Sequence, residues 1–293
     1  MPELPNASTT HHPGPAPVPE VLEAFPNQGA SSAGGTEQGV IGIRAFFTTR
    51  RGGFSADPYG SLNLADHTGD DPATVRRNWD HLLVAQGLDP AAAAHGGLVV
   101  PRLCHGDLLL DADASGLLPP RGDAFALAPF EADAVVTRTP GRVVAVTTAD
   151  CLAALIADPV TRCVAAVHAG WRGTRENILG KTLARLFAAG WCAPATTVVA
   201  LGPCLSPAAL EIGEDVAATL PASHVLRFED RPHFDLPGCN RAQAIAAGAR
   251  PEAITQRGGC TFSEPDRYFS HRRAQRDGTG TTGRLAACIA LVT

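Results

Sequence analysis

Residues Val143 to Thr174, VVAVTTADCLAALIADPVTRCVAAVHAGWRGT, constrain this chain more than any other stretch. Two apolar runs rich in Val, Ala and Ile flank Asp158-Pro159-Val160-Thr161. Asp and Pro hold the first two places of a turn there, so the segment predicts a β-hairpin. If Asp158 faces Thr161, Cys151 stands opposite His168. Directly opposed residues have Cβ atoms about 5 Å apart, close enough for a thiolate and an imidazole to share one ion or one proton. Both lie at the open end of that hairpin, Cys151 just after Asp150 and His168 just before Ala169-Gly170-Trp171-Arg172-Gly173. A buried Cys beside a satisfied core His would need none of these polar flanks, so the hairpin predicts a site.

The rest of the chain supplies a setting. With 293 residues, 45% of them hydrophobic, the chain can bury a substantial core. Strand and helix patterns intermix without regular βαβ repetition, which predicts a single α/β (α+β) domain over residues 40–293, with mixed β-sheets flanked by helices. Residues 1–39 differ: Pro13, Pro15, Pro17, Pro19 and the polar tract Gln28 to Gln38 predict a disordered N-terminal extension. No basic start with an apolar core predicts a signal peptide and no run of 18 apolar residues predicts a membrane span, so a cytoplasmic protein is expected. Eight cysteines at irregular spacing, without a CxxC, do not suggest a disulfide framework. A net charge of −5 offers no basic stripe for nucleic acid.

Several elements are legible in order. Ile41 to Thr49 predicts a strand that empties into Arg50-Arg51-Gly52-Gly53-Phe54-Ser55, a glycine turn with two guanidiniums and hence a candidate anion site. Asp71 as N-cap, Pro72 at the first helical position, apolar Val75, Trp79, Leu82 and Leu83, and Gly87 at the end predict a helix, with His67 in the loop before it. Strands are expected over Leu98–Leu103, Ala134–Thr137, Thr197–Leu201 and Leu285–Val292. Thr174 is expected to cap a helix whose stripe is Ile178, Leu179, Leu183, Leu186 and Phe187, and a further helix is expected near Asn240–Ala247.

HAGWRG at His168–Gly173, TADC at Thr148–Cys151, TTRRGGFS at Thr48–Ser55, SLNL at Ser61–Leu64 with the following His67, LGPC at Leu201–Cys204, and FSHRR and TTGR near the end carry a resemblance to a known family. From about Val40 to Thr293 the chain resembles the polyphenol-oxidase or laccase-domain family, whose members are regarded as purine nucleoside phosphorylases with adenosine deaminase activity. The resemblance implies a zinc ion held by His105, Cys151 and His168 with a fourth position open, the catalytic rather than the structural pattern. Such an ion supplies an activated water at neutral pH.

The same resemblance implies a purine nucleoside and phosphate as substrates; with the charge and hydropathy readings above, no nucleic acid or membrane partner is expected, and a monomer or small homo-oligomer is. Arg50 and Arg172 are then candidates for holding phosphate, Asn63 and His67 for sugar or proton-transfer contacts, and Asp150 or His67 for moving the proton in deamination, with Cys151 the central catalytic ligand. The chain departs from the family at Leu103-Cys104, where Gln-Val is usual, and at Ala274, where Asp commonly follows the two arginines.

Three rival readings remain open on the residues alone. A close Cys/His pair also suits a metal-free cysteine hydrolase with Cys151 as nucleophile and His168 as base, which could edit peptidoglycan precursors; a third His is superfluous there. A copper-dependent polyphenol oxidase would need His-x-His pairs and commonly an axial Met, whereas the chain has no His-x-His and only Met1, although copper could occupy the zinc site. A zinc-stabilised interaction protein would need the fourth position closed, and Cys104 is the residue that could close it.

Overall fold

The apolar runs of the sequence become strands with both faces covered. In the computed structural model, which describes residues 16–25, 42–89, 97–114 and 128–292, every residue of Val143–Thr148 (β8), Leu152–Asp158 (β9) and Cys163–Ala169 (β10) is buried. That double burial is why these stretches read as continuous apolar runs rather than as alternation.

Two sheets carry the fold. The first has the order β1 (Val21–Glu23), β2 (Gly42–Thr48), β15 (Leu285–Val292), β8, β3 (Leu98–Val99). The second runs β14 (Ile254–Gln256), β11 (Val198–Leu201), β9, β10, β7 (Ala134–Thr137), β5 (Leu109–Asp111). Both sheets are mixed: β3 pairs parallel to β8, β5 to β7 and β14 to β11, while the other ladders within them are antiparallel. Two short pairs complete the strands, β4 (Pro101–Arg102) with β6 (Ala128–Glu131) and β12 (Val225–Phe228) with β13 (Arg231–Phe234).

The two sheets face each other through Val144, Val146, Ala287 and Ile289 on one side and Val135, Leu155, Val164 and Ala166 on the other. The outer face of the first sheet, with Phe46, Ala145 and Cys288, packs on Trp79, Leu82 and Leu83 of helix α1 (Pro72–Ala85). Asp71 caps this helix by accepting the N–H groups of Ala73 and Thr74. The outer face of the second sheet packs on α3 (Ile178–Ala188) and α5 (Leu236–Ala246). Short helices α2 (Trp171–Arg175), α4 (Glu214–Ala217) and α6 (His271–Arg276) fill the connections. The result is a single α/β domain with mixed sheets flanked by helices, as the pattern predicted.

Three local expectations change. The hairpin is β9–β10 alone, since β8 belongs to the other sheet, and Asp158 pairs with Cys163 instead of facing Thr161. The Asp158 carboxylate accepts the N–H groups of Val160 and Thr161, which widens the turn. His168 consequently stands opposite Ala153. A shift of two residues keeps each side chain on its face, so Cys151 and His168 still share a side. Thr174 lies inside α2 and its hydroxyl accepts from the Asn240 amide, while Asn177, at φ 60°, starts α3. The expected strand Leu98–Leu103 is split between β3 and β4, which join different sheets.

The N-terminal expectation is corrected for residues 16–25. Val21–Glu23 pair antiparallel with Phe46–Thr48, and Ala24 is fully buried. Glu20 pairs with Arg51 and Arg267, and Arg257 donates to the Glu23 carbonyl. A three-residue strand carries no periodicity of its own; it is stabilised by the open edge of β2. Residues 1–15 and 26–39 lie outside the described residues. No helix among the described residues is long and apolar enough to cross a membrane.

Candidate metal centre

Three side chains from three elements meet at the open end of the hairpin. His105 follows β4, Cys151 immediately precedes β9, and His168 is the penultimate residue of β10. Ligating atoms of all three lie within 4.8 Å of one another. The His105 and His168 rings are 5.0 Å apart and nearly perpendicular, at 86°. His168 is buried, Cys151 half-buried and His105 exposed, so the cluster is reached from the His105 side.

Asp133, a residue that sequence reasoning missed, organises this arrangement. It is fully buried, and its Oδ1 lies 2.8 Å from His168 Nδ1 and accepts the His105 N–H at 2.9 Å. Its Oδ2 accepts the Gly106 N–H at 2.7 Å and the Cys104 thiol at 2.9 Å. Burial opposes its charge, but His168, Cys104 and the Gly106 N–H outweigh burial and hold its pKa at about 2. A carboxylate on Nδ1 fixes the His168 tautomer with Nε2 free to ligate, the second partner that metal-bound imidazoles usually have. It also holds His105 at φ 59°, a left-handed conformation that costs a non-glycine residue energy. The signal for Asp133 is only an acidic residue in an apolar stretch, with nothing in the spacing to join it to His168 across β7 and β10.

The charges inside the cluster are mutually dependent. Burial disfavours a Cys151 thiolate, yet the His168 charge and hydrogen bonds from His105 and His168 lower its pKa to about 6. Burial likewise disfavours a His168 imidazolium, but the Cys151 thiolate and Asp133 raise its pKa to about 9. Two imidazoles and a thiolate form a donor set suited to zinc, with one position to spare in a tetrahedron. Gly170 makes room for it: a Cβ there would stand 2.9 Å from Cys151 Sγ and within 3.7 Å of both imidazoles. Cys104 does not join the triad, because its thiol is turned to Asp133, and burial with that carboxylate raises its pKa.

The remaining predicted residues divide. Asp150 adjoins Cys151 at φ 89°, is buried, and accepts the Thr261 hydroxyl and the Arg272 N–H, each at 2.7 Å. Its carboxylate ties the Thr261 turn and the first turn of α6 to the site. Asn63 is fully buried and its amide is used internally, donating to Ala65, Thr68 and Asp70 and accepting from Ala65 and Arg284. Asn63 thus braces the loop that carries His67. His67 is exposed; desolvation and the Arg284 charge lower its pKa. Arg172 is exposed, stacked 4.4 Å over Trp171 and without a carboxylate partner among the described residues. Arg50 is committed elsewhere, donating to the carbonyls of Gly60 and Pro265 and lying over Phe269; no hydrogen bond or ion pair among the described residues joins it to the triad.

Known proteins share this architecture. Residues 44–292 match the family described as "Multi-copper polyphenol oxidoreductase laccase". A purine nucleoside phosphorylase of Deinococcus radiodurans is 38% identical over 249 residues, covering 84% of this chain and 88% of that protein. One from Pseudomonas aeruginosa is 34% identical and covers 84% and 93%. Among solved structures, YlmD from Geobacillus stearothermophilus superposes with a TM-score of 0.75 at 27% identity, covering 88% of this chain and 98% of that one. Neisseria meningitidis protein NMB0706 does so at 0.70 and 31%, covering 86% and 95%. The chain therefore belongs to the YfiH-type purine nucleoside phosphorylase family, the family that also carries the laccase-domain description.

Proposed function

We propose that this chain is a zinc-dependent purine nucleoside phosphorylase that also deaminates adenosine at the same centre. The observation that carries the reading is the His105, Cys151 and His168 cluster, with Asp133 behind His168 and no fourth protein ligand among the described residues. The relatives' names supply the substrate class, a purine nucleoside with phosphate.

Zinc held by these side chains would supply Lewis-acid polarisation of an oxygen in the site. The protein's part is to hold ligands and charges in place. Asp133 keeps His168 in its ligating tautomer, and Asp150 holds the Thr261 turn and the start of α6 against the centre. Phosphorolysis develops positive charge on the ribose as the base departs, so an anion fixed beside the anomeric carbon lowers the barrier. Exposed Arg172, without a carboxylate partner among the described residues and four positions after His168, suits the approach of that anion. His67, whose pKa desolvation and the Arg284 charge lower, is an uncharged base at neutral pH and a candidate for moving the proton in deamination.

The decisive assay is inosine with and without phosphate. With phosphate, the zinc-loaded protein should yield hypoxanthine and ribose 1-phosphate; without it, base release should stop. Adenosine deamination should persist without phosphate and vanish on chelation. One observation favours a second reading: the Cys151 thiolate paired with the His168 imidazolium also fits a thiol hydrolase. Phosphate-independent release of hypoxanthine by the metal-free protein would establish that reading in place of the first.

A further inference from the structure

We infer that Arg284 is the cation that receives the anionic co-substrate beside the triad, an assignment that rests on the phosphorolysis reading and gives the anion its place. Arg284 directly precedes β15. The β15–β8 ladder pairs Leu285 with Thr148, so its next step sets Arg284 against Ala149, two residues before Cys151. Its backbone is held on both sides: the N–H donates to Asn63 Oδ1 at 2.9 Å and the carbonyl accepts the Leu64 N–H at 3.1 Å. Asn63 also grips Ala65, Thr68 and Asp70, the loop that carries His67. One buried amide thus fixes both the Arg284 backbone and the loop that presents the histidine.

The guanidinium is only half used. Nη1 donates to the carbonyls of Thr282 and Gly283 at 2.9 and 3.2 Å, and no carboxylate pairs with Arg284 among the described residues. Arg227 and Arg267 by contrast engage carboxylates through both Nη atoms, and Arg44 and Arg138 through one. A partly buried guanidinium with no carboxylate in direct contact is incompletely compensated for its desolvation, and a bound anion relieves that cost. Two carbonyls clamp Nη1, so the remaining donors are fixed in direction before any ligand arrives, the condition for bidentate recognition of a tetrahedral oxyanion. Burial lowers the Arg284 pKa, and the charges of Cys151 and Asp150 oppose that shift, which agrees with its position next to the centre. Arg50 donates Nε to Gly60 and Nη1 to Pro265 with no hydrogen bond to the triad among the described residues, and Arg172 lies exposed on an indole.

The test uses the zinc-loaded full chain and Arg284→Gln and Arg284→Lys, with two readouts. The first is the KM for phosphate and for inosine in phosphorolysis; the second, independent of turnover, is the rise in melting temperature that inorganic phosphate induces. Arg284→Gln should raise the phosphate KM about 10- to 100-fold, the loss of a charge-assisted bidentate contact, while the inosine KM moves less than about threefold. Arg284→Lys should fall between the parent and Arg284→Gln. The phosphate-induced stabilisation should disappear in Arg284→Gln. If the parent phosphorolyses and Arg284→Gln keeps its phosphate KM, the assignment of Arg284 is wrong and the function stands. If the parent shows no phosphorolysis but loses phosphate stabilisation with Arg284→Gln, the function is wrong and the anion site stands. Absence of both effects overturns both. Should Arg284→Gln fail to fold, Arg284→Lys carries the same comparison on its own.

Discussion

Asp133 Oδ1 lies 2.8 Å from His168 Nδ1 and takes the N–H of His105 at 2.9 Å, so one buried carboxylate sets two of the three candidate metal ligands. Substitution of Asp133 therefore acts on the centre without removing a ligand. Asp133→Ala should weaken zinc binding about 10- to 100-fold, the usual effect of losing a partner behind a metal-bound imidazole. Competition with a chromophoric chelator measures it. Unchanged affinity would mean that His168 needs no orienting partner.

The metal-free protein should hold Cys151 as a thiolate at neutral pH. The Cys151 pKa is lowered to about 6, so the stability it contributes is present above the pKa of an unfolded thiol and is lost as pH falls through about 6. The His168 pKa is raised to about 9, so its contribution is complete below the pKa of an unfolded histidine and is lost as pH rises through about 9. The pair therefore stabilises the metal-free fold most between these limits. Thiolate absorbance near 240 nm, taken as the difference between the parent and Cys151→Ala, should titrate with a midpoint near 6. A midpoint near that of an ordinary thiol would sink the ion pair.

Gly170 stands where a Cβ would come 2.9 Å from Cys151 Sγ. Gly170→Ala should displace that sulfur and lower zinc affinity by about tenfold or more, since metal ligands tolerate only about 0.2 Å of misplacement. Metal content after dialysis at limiting zinc decides the matter. Full occupancy with unchanged affinity would show that the turn can yield without moving Cys151.

The N-terminal strand contributes to stability. A chain lacking residues 1–25 should melt lower than one lacking only residues 1–15, because the first loses buried Ala24, partly buried Leu22 and the ladder to β2. Apolar burial of that size contributes roughly 2 to 4 kcal/mol at about 25 cal/mol per Å², or about 5 to 15 °C in melting temperature. Equal melting temperatures in a thermal scan would show that the strand docks without stabilising the domain.

Much of the site was legible because its chemistry sits in side-chain types and in strand periodicity. Cys151 and His168 were paired from a turn and an alternation of period two, and although the register is shifted by two residues, an even shift leaves both on one face. The helix from Pro72 and the last strand, Leu285–Val292, were readable from a cap, a proline and a continuous apolar run. His105 entered only through the family resemblance, since nothing in its own spacing ties it to the hairpin.

Tertiary structure alone decided the rest, because each remaining contact joins residues far apart in sequence by a single hydrogen bond that leaves no periodic trace. Asp133 reaches His168 across neighbouring strands, Asp150 reaches Thr261 and Arg272, and Asn63 reaches Arg284. The glycines and guanidinium of the Arg50 turn are visible in the sequence, whereas the carbonyls of Gly60 and Pro265 that engage its Nε and Nη1 are not. The strand Val21–Glu23 is ordered by a partner edge, β2, that a polar, proline-rich segment does not announce. Sequence thus determined which residue types can hold a metal and on which face two of them lie; the fold decided which charges are already satisfied and which are left for a ligand.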